Sequence, residues 1–318
     1  MTRRASELAL AASVTQRLAV LVAAGVSPGS AWRYLAASPI AGSSDAGMRR
    51  VARSHEVARE VAASEADPAA IAGVILATAE GMPRLESQAW RGLAACWQIA
   101  TDAGAPLSSS LRDYARSLRE LAGAQRDAEV ALAGPVATAR MVMALPAVGV
   151  LFGAALGFDT FRTLFATPVG WAALAVGSGL MLLASWWNRR LVRAAQPQSA
   201  VDGLDCELLA IAVGGGGSLD AARAAVDSAL AACGLVVRAS SVAEVVELSR
   251  AAGVPAAELL RSEAEEIRRH ARANAHERAA ALSVTLMLPL GLCVLPAFMV
   301  LGVLPLVVAV ISSTVASW

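Results

Sequence analysis

The residues best suited to chemistry in this 318-residue chain are three histidines and four cysteines, and their spacing argues against a reactive site. His270 and His276 are six apart in a helical stretch, which puts them on opposite sides and denies them a shared metal; His55 stands alone. No two of Cys96, Cys206, Cys233 and Cys293 lie at ligand spacing, and Cys293 falls inside an apolar run, so the four are expected to be small buried side chains. No His-Glu-x-x-His or Gly-x-Ser-x-Gly occurs, and no Ser/His/Asp set can be assembled with specificity. Gly214 to Gly217 imitates a phosphate loop, but Ser218-Leu219-Asp220 follows where Lys-Ser or Lys-Thr would be needed. A turn between two helices is the expectation there. The sequence thus predicts no catalytic residue, no metal, no cofactor and no enzyme.

Charge is sparse, at 17% of residues, and concentrates on helical stretches 111–129 and 258–278. In the second, Glu263, Glu265, Glu266, Arg268, Arg269 and Arg272 mix both signs, while Ile267 and Ala271 fall on the apolar side. Two readings stand: a solvated helix face, or a docking surface for a cytoplasmic partner. Nucleic acid is not an expected partner, because the net charge is only +1 and aromatics are 4%.

The elements that carry these residues alternate between aqueous and membrane segments. The chain is 56% hydrophobic, with a mean hydropathy of +0.55. Three stretches lack charge over membrane-scale lengths, predicting spans at 139–158, 168–187 and 281–311. A short external loop, 159–167, joins the first two and holds Asp159 and Arg162. The third would be about 45 Å long as one helix against a hydrocarbon layer of about 30 Å, so it must tilt, kink or protrude. Pro289, Pro296 and Pro305 offer the kinks. Arg140, Arg189, Arg190, Arg193, Arg268, Arg269, Arg272 and Arg278 flank the spans on one side. The positive-inside rule therefore puts 1–138 and 188–280 in the cytoplasm, with a cytoplasmic N-terminus and an external tail at 312–318. Trp186 and Trp187 read as an anchor at that interface. The start of the chain imitates a secretory signal. Ser13, Thr15, Gln16 and Arg17 interrupt it, and Leu10, Val14, Leu18 and Leu21 instead share a helix side.

The two aqueous regions repeat each other. At an offset of 149, Ala103-Gly104 and Pro106 recur as Ala252-Gly253 and Pro255. Leu111, Arg112, Ala115, Arg119, Ala122 and Ala124 recur as Leu260, Arg261, Ala264, Arg268, Ala271 and Ala273. Gly104 and Gly253 are placed to end one helix, with Pro106 and Pro255 opening the next. Ala24-Gly25-Val26-Ser27-Pro28 and the tetraglycine close an earlier helix in each half. The first half carries extra sequence around Ser38 to Glu80, where Pro39, Gly42, Ser43, Ser44 and Gly47 predict a surface connection before another helix. The expected fold is all-α: two related cytoplasmic helical-bundle domains and three transmembrane helices.

Glu277-Arg278-Ala279-Ala280, followed by Leu288-Pro289 and Leu295-Pro296-Ala297, resembles the final-span signature of the type II secretion F family. Within that family the chain is most similar to the platform proteins of tight-adherence (Tad) pili. The first repeat keeps the pattern less completely, with Ala128-Glu129-Val130-Ala131 and one Leu145-Pro146-Ala147. The resemblance implies a multi-pass inner-membrane (plasma-membrane) platform that couples a cytoplasmic secretion or pilus ATPase to insertion or extraction of pilin subunits. It implies as further partners the lipid bilayer and either a second platform protein or another copy of the chain. A permease-like or channel subunit with cytoplasmic regulatory domains is the alternative, and a membrane-tethered enzyme a third.

Overall fold

The computed structural model describes residues 3–38, 45–64, 67–155, 165, 167–195, 201–236, 242–305, 307 and 311; among them it has helices and no strand. In chain order the helices are α1 (Arg3–Ala23), α2 (Pro28–Ala37), α3 (Asp45–Ala63), α4 (Ile71–Ala79), α5 (Arg84–Asp102) and α6 (Leu107–Ala155). There follow α7 (Pro168–Ala195), α8 (Leu204–Gly214), α9 (Leu219–Ala232), α10 (Val242–Ala252) and α11 (Ala256–Thr285). The last apolar stretch is α-helical at Met287–Pro289 and Leu295–Phe298, with wider π-helical turns at Leu290–Val294 and Met299–Val303. The expected connection at 39–44, most of the loop 159–167 and the tail 312–318 lie outside the described residues.

The chain forms two compact units: Met1–Arg126 with Pro197–Asn274, and Asp127–Gln196 with Ala275–Trp318. The sequence reading treats 1–138 and 188–280 as two domains. Of these, 1–126 and 197–274 gather in the first unit around one core, which joins Leu18, Trp90, Trp97 and Leu118 to Leu209, Val226 and Leu260. The centre of that core is α5, which packs on α1, α4, α8 and α9. Its buried residues include Leu85, Ala89, Trp90, Leu93, Ala94, Trp97 and Ala100, at intervals of three and four that one helix face requires. Trp97 donates to the Pro68 carbonyl at 2.8 Å, which satisfies the indole nitrogen while its ring packs beside Trp32, centroids 6.0 Å apart. Tyr114 reaches across from α6 to the Ala89 carbonyl at 2.7 Å. Gly92 makes that approach possible, since a Cβ there would overlap the Tyr114 hydroxyl. All four cysteines are buried, as their setting in the sequence predicts, and among the described residues none is in a disulfide.

Between α2 and α5 the structure has two helices, α3 and α4, where the sequence reading expects a surface connection and one. The loop-like run ends sooner than its glycines imply, because Gly47 already lies inside α3.

Among the described residues, three helices are long and apolar enough to cross a membrane, within Leu107–Phe152, Pro168–Ala194 and Ala256–Val303. By residue type alone Gly134-Pro135 would interrupt the first of them. Instead α6 continues through both Pro135 and Pro146. Pro removes one backbone donor, a loss a long helix absorbs when its flanking turns stay bonded. In the second unit the three apolar segments meet through Leu132, Leu282 and Leu286, and again through Ala184, Cys293 and Val294. Close backbone approach is bought with glycine: the Cβ position at Gly149 lies 3.5 Å from the Gly302 Cα, and a Cβ at Gly177 would overlap Leu301.

Candidate functional site

Four turns position the charged helices. Gly104 and Gly253 have φ of +64° and +65°, the left-handed region where a Cβ is strained. At the first, Ala105 N–H donates to the Ala100 carbonyl at 2.9 Å, closing a Schellman turn. Pro106 and Pro255 directly precede α6 and α11, and their carbonyls accept from Ser110 and Glu258, each at 3.2 Å. Upstream, Gly25 and Gly216 are left-handed at +85° and +92°. Ser27 and Ser218 then cap α2 and α9, accepting from Ser30 and Ala221 N–H at 3.4 and 3.3 Å. The tetraglycine is therefore a helix-helix turn, as expected. Its Gly215 also touches the Ala103 carbonyl so closely that no side chain could fit.

These turns fix a correspondence that the single offset of 149 does not show. Gly25 and Gly216 are 191 apart, and at that offset Leu18, Ala19, Val22, Ser27 and Ala31 equal Leu209, Ala210, Val213, Ser218 and Ala222. The difference, 191 − 149 = 42, is the net extra length in the first repeat, which contains α3 and α4. Comparison of the sequence at a second offset would have revealed it.

One polar contact recurs under this alignment. Arg119 of α6 and Arg268 of α11 are equivalent at 149; Gln16 of α1 and Glu207 of α8 are equivalent at 191. Arg119 Nη2 donates to Gln16 Oε1 at 3.0 Å, and Arg268 Nη1 to Glu207 Oε2 at 3.2 Å. In the first repeat the acceptor is a neutral amide and the contact is exposed; in the second it is a carboxylate and the contact is part-buried.

Glu207 is 5% exposed, and Ser117 of α6 also donates to its Oε2, at 2.8 Å. Burial pushes its carboxyl above the ordinary 4.5. Arg268 and the Ser117 bond pull the other way, while Asp113 and Glu120 add to the rise. Among the described residues, Glu207 Oε1 has no hydrogen-bond partner. Arg268 is further held by Glu120 of α6 at 3.1 Å, so this one side chain ties α11 to both α6 and α8.

Arg268 belongs to a series. Asp113 faces Arg261 at 3.8 Å, Glu120 faces Arg268 at 3.1 Å, and Asp127 faces His276 at 3.9 Å, the last pair in the second unit. Acids seven residues apart on α6 thus meet basic side chains seven and eight apart on α11, the interval that returns to one side of a helix after two turns. The sequence reading grouped Arg268 with a docking face, but its side chain is only 9% exposed and is spent inside the first unit. Glu265, Glu266, Arg269 and Arg272 remain exposed, and Glu263 is half-buried. Glu266 pairs with Arg269 at 2.8 Å and His270 at 3.0 Å on the helix surface.

Sequence reasoning missed the buried carboxylates altogether. Glu7 and Glu86 are 4% and 1% exposed and converge on Arg53, at 3.6 and 3.1 Å. Nothing in their local sequence distinguishes them from surface acids. Compared with models of protein families, with curated proteins and with solved structures, the chain matches none.

Proposed function

We propose that the chain is an inner-membrane platform component of a tight-adherence-like pilus assembly or type II secretion machine. In this reading α6 and α11 pass the movement of a cytoplasmic ATPase to apolar spans that insert or extract pilin subunits. The supporting observation is the paired course of these two helices: α6 runs without interruption from charged into apolar sequence, α11 runs from charged sequence to Thr285 at the start of the third apolar segment, and acid-base contacts link the two. A second platform protein, or another copy of the chain, completes the assembly. The exposed Glu265, Glu266, Arg269 and Arg272 supply the ATPase docking face.

Co-purification with the ATPase and pilin tests the partner. Glu265→Arg with Glu266→Arg should reduce ATPase recovery, and less so at high salt. A Gly-Gly pair at Ala279-Ala280 should leave docking intact and abolish pilus assembly or secretion. Normal assembly in that variant excludes coupling through α11, and absence of any ATPase or pilin partner excludes the platform role.

A further inference from the structure

The arginines that orient the spans also leave the membrane-crossing unit with positive charge that no carboxylate in the same stretches of sequence offsets. No carboxylate occurs between Glu129 and Asp159, nor between Asp159 and Asp202, whereas five arginines fall in those stretches: Arg162 in the 159–167 loop, and Arg140, Arg189, Arg190 and Arg193 at the other ends of the spans. The last four are exposed. Among the described residues, no acid lies within ion-pair distance of Arg140, Arg189 or Arg190.

Two packing contacts show that these cations share one level. Asn188 Nδ2 lies 3.5 Å from the Met143 sulfur, which sets α7 beside α6 at that height. Leu132 and Val136 pack with Leu191 and Val192 one to two turns away. The interval from Val136 to Met143 is about 10 Å at 1.5 Å per residue, and Arg140, Arg189 and Arg190 lie within it. On the same rim, Trp186 is 58% exposed and holds the Arg190 guanidinium 5.5 Å from its ring centroid. A tryptophan of this kind sits among lipid headgroups, and its ring fixes the cation where a headgroup phosphate would be.

We propose that Arg140, Arg189 and Arg190, backed by Trp186, form a seat for an anionic phospholipid: a phosphodiester headgroup held by guanidinium groups, with its acyl chains along α6 and α7. Guanidinium matches phosphate with paired donors, and phosphate is the anion available at this depth. The uncompensated charge favours an acidic over a zwitterionic headgroup. The seat is independent of the platform reading, and it stands or falls without any ATPase.

The test uses the purified full chain in neutral detergent, titrated with phosphatidylglycerol or phosphatidylcholine, with melting temperature and retained lipid (by native mass spectrometry) as readouts. Phosphatidylglycerol should stabilise the protein and be retained; phosphatidylcholine should do neither. The triple change Arg140→Gln, Arg189→Gln and Arg190→Gln should weaken apparent phosphatidylglycerol affinity on the order of a hundredfold. Equal charge removal at exposed Arg33, Arg112 and Arg223 should leave it unchanged. If the triple variant does not purify, Arg140→Gln and Arg189→Gln alone should each lose about fivefold. Equal response to the two lipids, or full preference kept in these variants, overturns the proposal.

Discussion

At the scale of single residues, Arg268 and Glu207 dominate. Arg268→Ala would leave Glu207 buried without its cation, a loss expected to cost about 3–5 kcal/mol. Adding Glu207→Gln should restore much of the melting temperature, because the uncompensated charge then disappears. The pH dependence carries its own sign. Since the folded-state pKa of Glu207 is raised, the folded protein binds more protons than the unfolded chain above about pH 4.5. The Glu207 contribution to stability therefore falls as pH rises from that value to the folded-state pKa. Glu207→Gln should remove this slope, which the difference between wild-type and variant melting curves across pH would reveal. The sequence marks Arg268 as a repeated residue and as part of a mixed-charge face, but its partners are 61 and 148 positions away. Helix periodicity has no access to contacts at that range.

Among the elements, turns were the most legible. Glycine followed by proline or serine signals a helix end and a new start, because left-handed backbone and capping oxygens restrict residue choice locally. Gly253→Val should cost about 1 kcal/mol or more in stability and lower the melting temperature accordingly. Open space surrounds the position, so the cost is backbone strain alone. Gly92→Ala makes the opposite comparison: its backbone is helical, and any loss comes from displacing Tyr114 from the Ala89 carbonyl. Far-UV circular dichroism with thermal melting distinguishes both from an unaffected Gly73→Ala control, whose added methyl meets nothing. Less legible was the course of α6. Gly134-Pro135 reads as a breaker in isolation, and only the packing of Leu132 and Val136 against α7 and the third apolar segment explains why the helix persists.

For the molecule as a whole, the sequence showed three apolar segments and a repeat, but counted two aqueous domains where the helices share one core. Repetition reports common ancestry of segments and says nothing of whether two copies are buried separately or together. Topology remains open to a direct check. Reporter fusions at Ala195 and after Trp318 should report opposite sides of the membrane, as the arginine asymmetry requires. Reports from the same side would mean an even number of crossings between them.

The two π turns in the last apolar segment alter what that segment shows to its surroundings. Each follows a proline, Pro289 or Pro296, and fits five residues where an α turn fits fewer. Buried positions run Pro289, Cys293, Val294, Ala297, Gly302 and Pro305, with five-residue steps from Pro289 to Val294 and from Ala297 to Gly302. Exposed Met299 and Leu304 are likewise five apart. A helical wheel drawn at constant pitch from Leu282 would thus slip phase twice and assign the far end to the wrong neighbours. A cysteine-labelling scan from 284 to 304 should show the accessibility pattern lose its 3.6-residue rhythm at 290–294 and again at 299–303. A single unbroken rhythm would mean that the segment is an ordinary helix.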